Sequence, residues 1–288
     1  MPTTTADADT GKPQSDLIYR ETRWLAIIIV PFLLIAFYIL FLRTSETKAL
    51  FAWEIGAPMT AMMLGSAYIG GAYFFTRASR AKHWHHISVG FLPVATFASF
   101  MGIATILSWD KFTHDHVSFY TWVVLYFTTP FLVLAAWLRN RRTDPGIPDS
   151  HDFVLSRAAR YVLGAAGLFN IVLSILLMIA PQGMINIWPW TLTVLTARVV
   201  GGMFALQGMF GLCMALDGRW SAARITLESQ LVSMLFIVIA TLRTWSTFDQ
   251  SRPFTWVFVI SISAILIVVI IFYIFVENYR KRRRPASN

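Results

Sequence analysis

An all-α polytopic membrane bundle of eight transmembrane helices is the fold class this sequence predicts, on three observations. Of 288 residues, 56% are hydrophobic and only 14% are charged, where a soluble domain carries about 25% charged residues. Mean hydropathy is +0.59. The apolar residues gather into eight runs of 18 residues or more, and a span needs roughly 20. These runs do not alternate as barrel strands do, and a helix satisfies its own backbone in lipid. The composition excludes a disordered chain, a secreted disulfide scaffold and an ordinary water-soluble enzyme. Cys213 is the one cysteine, so an internal disulfide and a multi-cysteine metal site are excluded. Within an apolar run it reads as a small buried hydrophobe.

The eight runs cover residues 24–42, 55–76, 87–109, 117–138, 161–180, 190–216, 225–242 and 254–276. Arg198 and Glu228 are the only charged residues inside them. With the N-terminus placed in the cytoplasm, 18 Lys and Arg fall in inner segments and five in outer ones. That bias places both termini inside and accounts for the net charge of +9 without a nucleic-acid partner. Tryptophans agree with the boundaries. Trp24, Trp84, Trp137 and Trp220 fall at inner ends, and Trp53, Trp109, Trp188, Trp190, Trp245 and Trp256 at or near outer ends. Indole prefers the headgroup level.

Residues 1–16 form a polar tail that composition reads as disordered, and the first span reads as a retained anchor and not a cleaved signal. The stretch 143–153 is the other loop-like linker and divides the chain near its middle. A register shift of 136 aligns the halves with 11 identities over positions 60–112, among them Gly65 with Gly201, Trp84 with Trp220 and Trp109 with Trp245. The expectation is a 4+4 duplication, with repeats over 17–142 and 154–279 and a basic tail over 280–288. Four spans per copy give both copies one orientation, a parallel repeat about the membrane normal, which in some transporters puts a site between the halves.

Polar residues divide the copies. The second copy carries Asn170, Arg198, Gln207, Glu228 and Gln230 within spans, where the first has Leu34, Met62, Gly71, Leu92 and Val94. At 1.5 Å per residue, Arg198 lies about 12 Å, Asn170 about 15 Å and Glu228 about 21 Å below the outer boundary. An intramembrane Arg needs an inward orientation and a partner, and Glu228 is the only in-span acid. Arg198, Glu228 and Asn170 are thus the candidate binding site. One reading is a polar cavity for a solute or proton; the other is a buried ion pair that locks spans six and seven together.

Other constellations are weaker. Asp110, His114 and His116, with Asp115 between them, lie in the outer loop WDKFTHDH and are donor types for zinc or another divalent ion. A solvated polar loop is the competing reading, and the matching loop of the second copy has no histidine. His83, His85 and His86 at the inner start of the third span read as interface histidines, since haem ligation needs histidines deep in the spans. The tail Arg280–Arg284, RKRRR, has the composition that meets anionic lipid as well as the sign of an orientation signal. Small residues cluster in span two (Gly65, Ser66, Gly70, Gly71) and span six (Gly201, Gly202, Gly208, Gly211), placing both at the centre. There is no phosphate-binding glycine loop, HExxH or GxSxG, and no cofactor is expected.

The stretch from Trp190 through Thr193 and Thr196 to Arg198, followed by Gly201 and Gly202, resembles a segment of bacterial multi-pass membrane proteins of unassigned function, frequent in actinobacteria. The stretch from Trp53 through Pro58 to Ala61 looks like its first-half version. The resemblance implies a bacterial plasma-membrane protein and brings no chemistry with it. Three functions follow as expectations: a membrane-embedded binding or transport protein for a small solute; a non-catalytic subunit or scaffold that binds partner helices or a second copy; and, with no adjacent base and nucleophile to support it, a lipid-modifying enzyme.

Overall fold

The computed structural model describes residues 15–283. Eight long helices carry the fold: α1 (Arg20–Phe37), α2 (Pro58–Arg80), α3 (His85–Leu107), α4 (Val117–Asn140), α5 (Arg157–Ile179), α6 (Val194–Asp217), α7 (Trp220–Arg243) and α8 (Pro253–Arg283). The described residues hold no named strand, only an isolated bridge between Val154 and Arg219. Seven of the eight are long and apolar enough to cross a membrane, an all-α bundle compatible with a multi-pass membrane protein. The exception is α2, which has the length, 23 residues, but less apolarity. It carries Gly65, Ser66, Gly70 and Gly71, and 14 of its residues are buried. A helix enclosed by other helices is selected for close approach and not for solubility in lipid.

Local chemistry sets the boundaries. The sixth run was expected from residue 190, yet α6 begins at Val194. Thr193 and Thr196 form a reciprocal capping box there, which satisfies otherwise orphaned N–H groups. Gly218 ends α6 at φ 76°, the left-handed conformation that glycine adopts without a Cβ penalty. Ser156 caps α5 by accepting from the Ala159 N–H. Beyond Phe37, α1 widens into a π-helical turn, Tyr38–Leu42.

Helix α2 packs on α1 and α7, and α6 packs on α5 and α3; α4 lies against α3 and α8 against α7. The central helices are thus α2, α3, α6 and α7. Close approach is built into two places. An added Cβ at Gly65 would lie 3.2 Å from Phe41 Cβ, and one at Gly201 3.0 Å from Leu177 Cβ.

The structure corrects two expectations. Trp24, Trp109 and Trp256 are exposed, as interface tryptophans are, but Trp53, Trp84, Trp188, Trp190 and Trp220 are fully buried. The Trp190 indole donates to Thr60 Oγ1 at 2.8 Å. These rings seal the ends of the bundle instead of lying among headgroups. Asp16, assigned to a disordered tail, is buried and tied by its N–H to the Thr143 carbonyl. Residues 1–14 of that tail, and Arg284 onward, lie outside the described residues.

Candidate functional site

The three residues singled out inside spans are not brought together. Arg198 is the fifth residue of α6. Its guanidinium donates to the Leu107 carbonyl at 2.7 Å, to Ser108 Oγ at 2.6 Å and to the Met178 carbonyl at 3.3 Å. Leu107 ends α3, and Met178 is one residue from the end of α5. The last carbonyls of a helix lack intrahelical partners and carry its negative dipole end. They are therefore a sufficient partner for a cation, and Arg198 clamps two helix ends. Asn170 donates to the Ala166 carbonyl of its own helix at 2.8 Å.

Glu228 belongs to the other end of the bundle, where α2 finishes and α7 begins. Its Oε2 accepts from Tyr73 OH at 2.6 Å and pairs with Arg77 at 2.5 Å. Its Oε1 accepts from Arg224 Nε at 3.1 Å and Tyr273 OH at 2.8 Å. One carboxylate thus joins α2, α7 and α8 through four donors. The network continues through Glu277, which takes the Trp220 indole at 2.8 Å and pairs with Arg280 at 3.3 Å. Arg280 is therefore part of the folded bundle and not of a loose tail. The network is not apparent from the sequence because Arg77 and Arg224 stand at span ends, where Arg is ordinary.

Arg198 and Glu228 share no partner, so their effects on stability should add. Arg198→Met and Glu228→Leu are each expected to destabilise, and the double variant to equal their sum within about 0.5 kcal/mol. Thermal unfolding of the four forms measures this. Recovery of stability in the double variant would mean that the two side chains are coupled.

The linker is fastened. Arg219 pairs with both oxygens of Asp144 at 2.8 Å and with Asp217 at 2.7 Å. Asp152 accepts from the Ser221 N–H and hydroxyl, the latter at 2.6 Å. Burial alone would raise the Asp144 carboxyl. The Arg219 hydrogen bond and the Gly146 amide outweigh it and hold the group below its ordinary 3.8. A carboxyl depressed in the folded state stabilises fully above its unfolded value, and the contribution is lost as pH falls through the folded one. Denaturation followed from pH 6 down to about pH 3 should therefore show a stability loss in the lowest range that Asp144→Asn reduces.

The outer-loop donors do not converge. Asp110 pairs with Lys111 at 2.6 Å, the His114 ring packs against Trp109 and Phe119, and His116 Nδ1 lies 2.6 Å from Ser118 Oγ. Neighbouring aromatics and short-range polar partners take each side chain separately. Among the described residues, the histidines that meet carboxylates are those at the start of α3.

Cavities lie between the helices. One, of about 60 Å³, lies between α2, α3, α6 and α7 beside Tyr68, Gly90, Thr226 and Ser229. It is of a size for ordered water, and Gln207 and Gln230 hydrogen-bond nearby at 2.6 Å. Another, of about 400 Å³, is an apolar groove between α1 and α4. Phe32, Ala36 and Ile39 form one wall and Thr121, Trp122 and Leu125 the other. The Thr121 hydroxyl in the wall donates to the Val117 carbonyl of its own helix, and the other polar groups stand at the ends. His116 and Ser118 lie at the mouth, and Tyr68 and Tyr126, whose hydroxyls are 2.6 Å apart, close the floor. No protein-family model matches the chain, and no curated protein or solved structure matches it either.

Proposed function

We propose that the chain is a lipid-binding protein of the bacterial plasma membrane, holding one apolar chain of an outer-leaflet lipid in the groove between α1 and α4. The observation that carries this reading is the groove itself. Its volume of about 400 Å³ falls within the roughly 300–1,000 Å³ of small-molecule sites, which are apolar with a few polar groups at defined points. The flanking surfaces, with Phe32, Ile35, Val117 and Tyr120 exposed, face lipid, so a ligand arrives from the bilayer. From Val117 to Tyr126 the groove follows the first ten residues of α4, about 14 Å of depth. The site thus lies in the first half, while the in-span polar groups of the second half serve helix ends and helix contacts.

The reading includes eight spans, cytoplasmic termini and two parallel repeats over 17–142 and 154–279. Helix boundaries support the repeat. Arg20 and Arg157 start α1 and α5 at a shift of 137, and Pro58 and Val194 start α2 and α6 at 136, as do Val117 and Pro253 for α4 and α8. The contacts exchange in the same way, α2 on α7 mirroring α6 on α3. The Trp84 N–H donates to the Asp16 carbonyl and the Trp220 N–H to the Phe153 carbonyl, both at 2.9 Å.

Mass spectrometry of the chain released from mild detergent is expected to find one co-purified lipid per protein. Leu125→Trp with Ala36→Phe, which fill the groove, should abolish retention with an unchanged melting temperature. Equal retention in the filled variant, or none in the parent, refutes the binding site. Reporter fusions after Arg142 and Arg219 should read inside and one after Asp249 outside; an outside signal at the C-terminus refutes the topology.

A further inference from the structure

Three segments distant in sequence meet where α3 begins: Asp16 ahead of α1, His83–His86, and Asp149 of the linker. His85 Nδ1 lies 2.5 Å from Asp16 Oδ2. Asp16 is itself held, its Oδ1 accepting the His85 N–H at 3.0 Å and its carbonyl the Trp84 N–H at 2.9 Å. It occupies φ 50°, a left-handed conformation that non-glycine residues keep where surrounding bonds enforce it. With its proton on Nδ1 facing that carboxylate, His85 presents a lone pair at Nε2. Nε2 is buried without a hydrogen-bond partner, on a side chain only 4% exposed. It faces Asp149, with Oδ1 at 3.1 Å. The other oxygen of the same carboxylate lies 3.0 Å from His86 Nε2. A lone pair on a buried ring that confronts a carboxylate oxygen is costly unless a cation lies between them.

We propose that His85 Nε2, His86 Nε2 and Asp149 hold a divalent transition-metal ion of the zinc class, with Asp16 as the positioning residue for His85. The donor atoms of the three all lie within 4.8 Å of one another. Zinc bonds imidazole nitrogen and carboxylate oxygen at about 2.0–2.2 Å, so the donors need to draw in only slightly. Two imidazoles with one carboxylate suit zinc and its neighbours, whereas magnesium and calcium take oxygen sets. A carboxylate on the far ring nitrogen is the usual partner of a metal-bound histidine, since it fixes both tautomer and ring orientation. Three protein donors leave a fourth position for water. The ion ties the linker and the segment before α1 to the start of α3. The site stands at the opposite end of the bundle from the mouth of the lipid groove and does not depend on it.

The test is a titration of the full chain in nanodiscs, freed of any affinity tag and stripped with chelator. One equivalent of Co²⁺ is expected to give visible ligand-field absorption that Zn²⁺ displaces and Mg²⁺ does not. His86→Ala and Asp149→Asn should lose the signal. Asp16→Asn should weaken binding about 10–100-fold, with the metal-free melting temperature unchanged. His114→Ala, in the outer loop, should bind as the parent does. Absence of stoichiometric Co²⁺ binding by the parent overturns the proposal, as does unchanged binding in His86→Ala and Asp149→Asn. A His85 ring that carries protons on both nitrogens in the zinc-saturated protein, read from ¹⁵N shifts, overturns it as well: the residue would then be an imidazolium bridging two carboxylates.

Discussion

Replacing Arg219 with methionine is expected to destabilise the protein by about 3–5 kcal/mol, the cost of breaking a buried charge pair from one side. The guanidinium is 8% exposed and lies between two carboxylates, Asp144 and Asp217, that are themselves largely enclosed. Without it, both acids remain out of water beside each other. The damage spreads because this turn also carries backbone pairing. Leu155 N–H donates to the Gly218 carbonyl and Trp220 N–H to the Phe153 carbonyl, both at 2.9 Å. Arg219→Met combined with Asp144→Asn and Asp217→Asn should recover much of the loss, since no uncompensated charge is left. Thermal denaturation in one detergent measures both. A single variant as stable as the parent would mean that the turn is not held by this arginine.

Enlarging a glycine at the contact of α5 with α6 should have the second large effect. A Cβ at Gly167 would lie 2.8 Å from the Gly208 carbonyl oxygen and 2.9 Å from the Leu212 nitrogen. One at Gly208 would lie 2.8 Å from the Gly167 carbonyl oxygen, and one at Gly211 2.9 Å from that of Leu163. These neighbours are backbone, so no side chain can rotate away and the helices themselves must separate. Overpacking of this kind costs about 1–3 kcal/mol or more, and the contact is one where small residues alone permit close approach. Gly208→Val should therefore lower the melting temperature well beyond Gly183→Ala, where nothing lies within 4 Å. Equal melting temperatures would show that α5 is not seated on α6 in this way.

The candidate sites were legible only in part. Arg198 faces protein and has partners, as the cost of a lone cation in lipid requires. Its partners are not an opposite charge but the carbonyls at the ends of α3 and α5. Depth along an α-helix follows from 1.5 Å per residue, but the direction a residue faces depends on how its helix is rotated. Glu228, the expected partner of Arg198, pairs instead with Arg77 and Arg224, which sit outside the apolar runs, because long side chains reach inward from span ends. The histidines of α3 carried a weaker sequence signal than the Asp110, His114 and His116 loop, since their carboxylates are 69 and 63 positions away.

What the sequence determined by itself was the class and the segmentation. A long apolar run has one solution in lipid, because each backbone N–H and C=O must be satisfied inside the segment. The runs therefore located all eight long helices, with errors of a few residues where a cap such as Thr193 set the start. The alignment of Gly65 with Gly201 likewise anticipated two central helices with close contacts. Tertiary structure alone decided the rest: that α2 is enclosed and five tryptophans seal the bundle ends, that Arg198 caps helices while Glu228 gathers three, and that Asp16, His85, His86 and Asp149 meet. Those outcomes depend on helix rotation and neighbour choice. Packing between helices sets both, and neither is written into the hydropathy of any one segment.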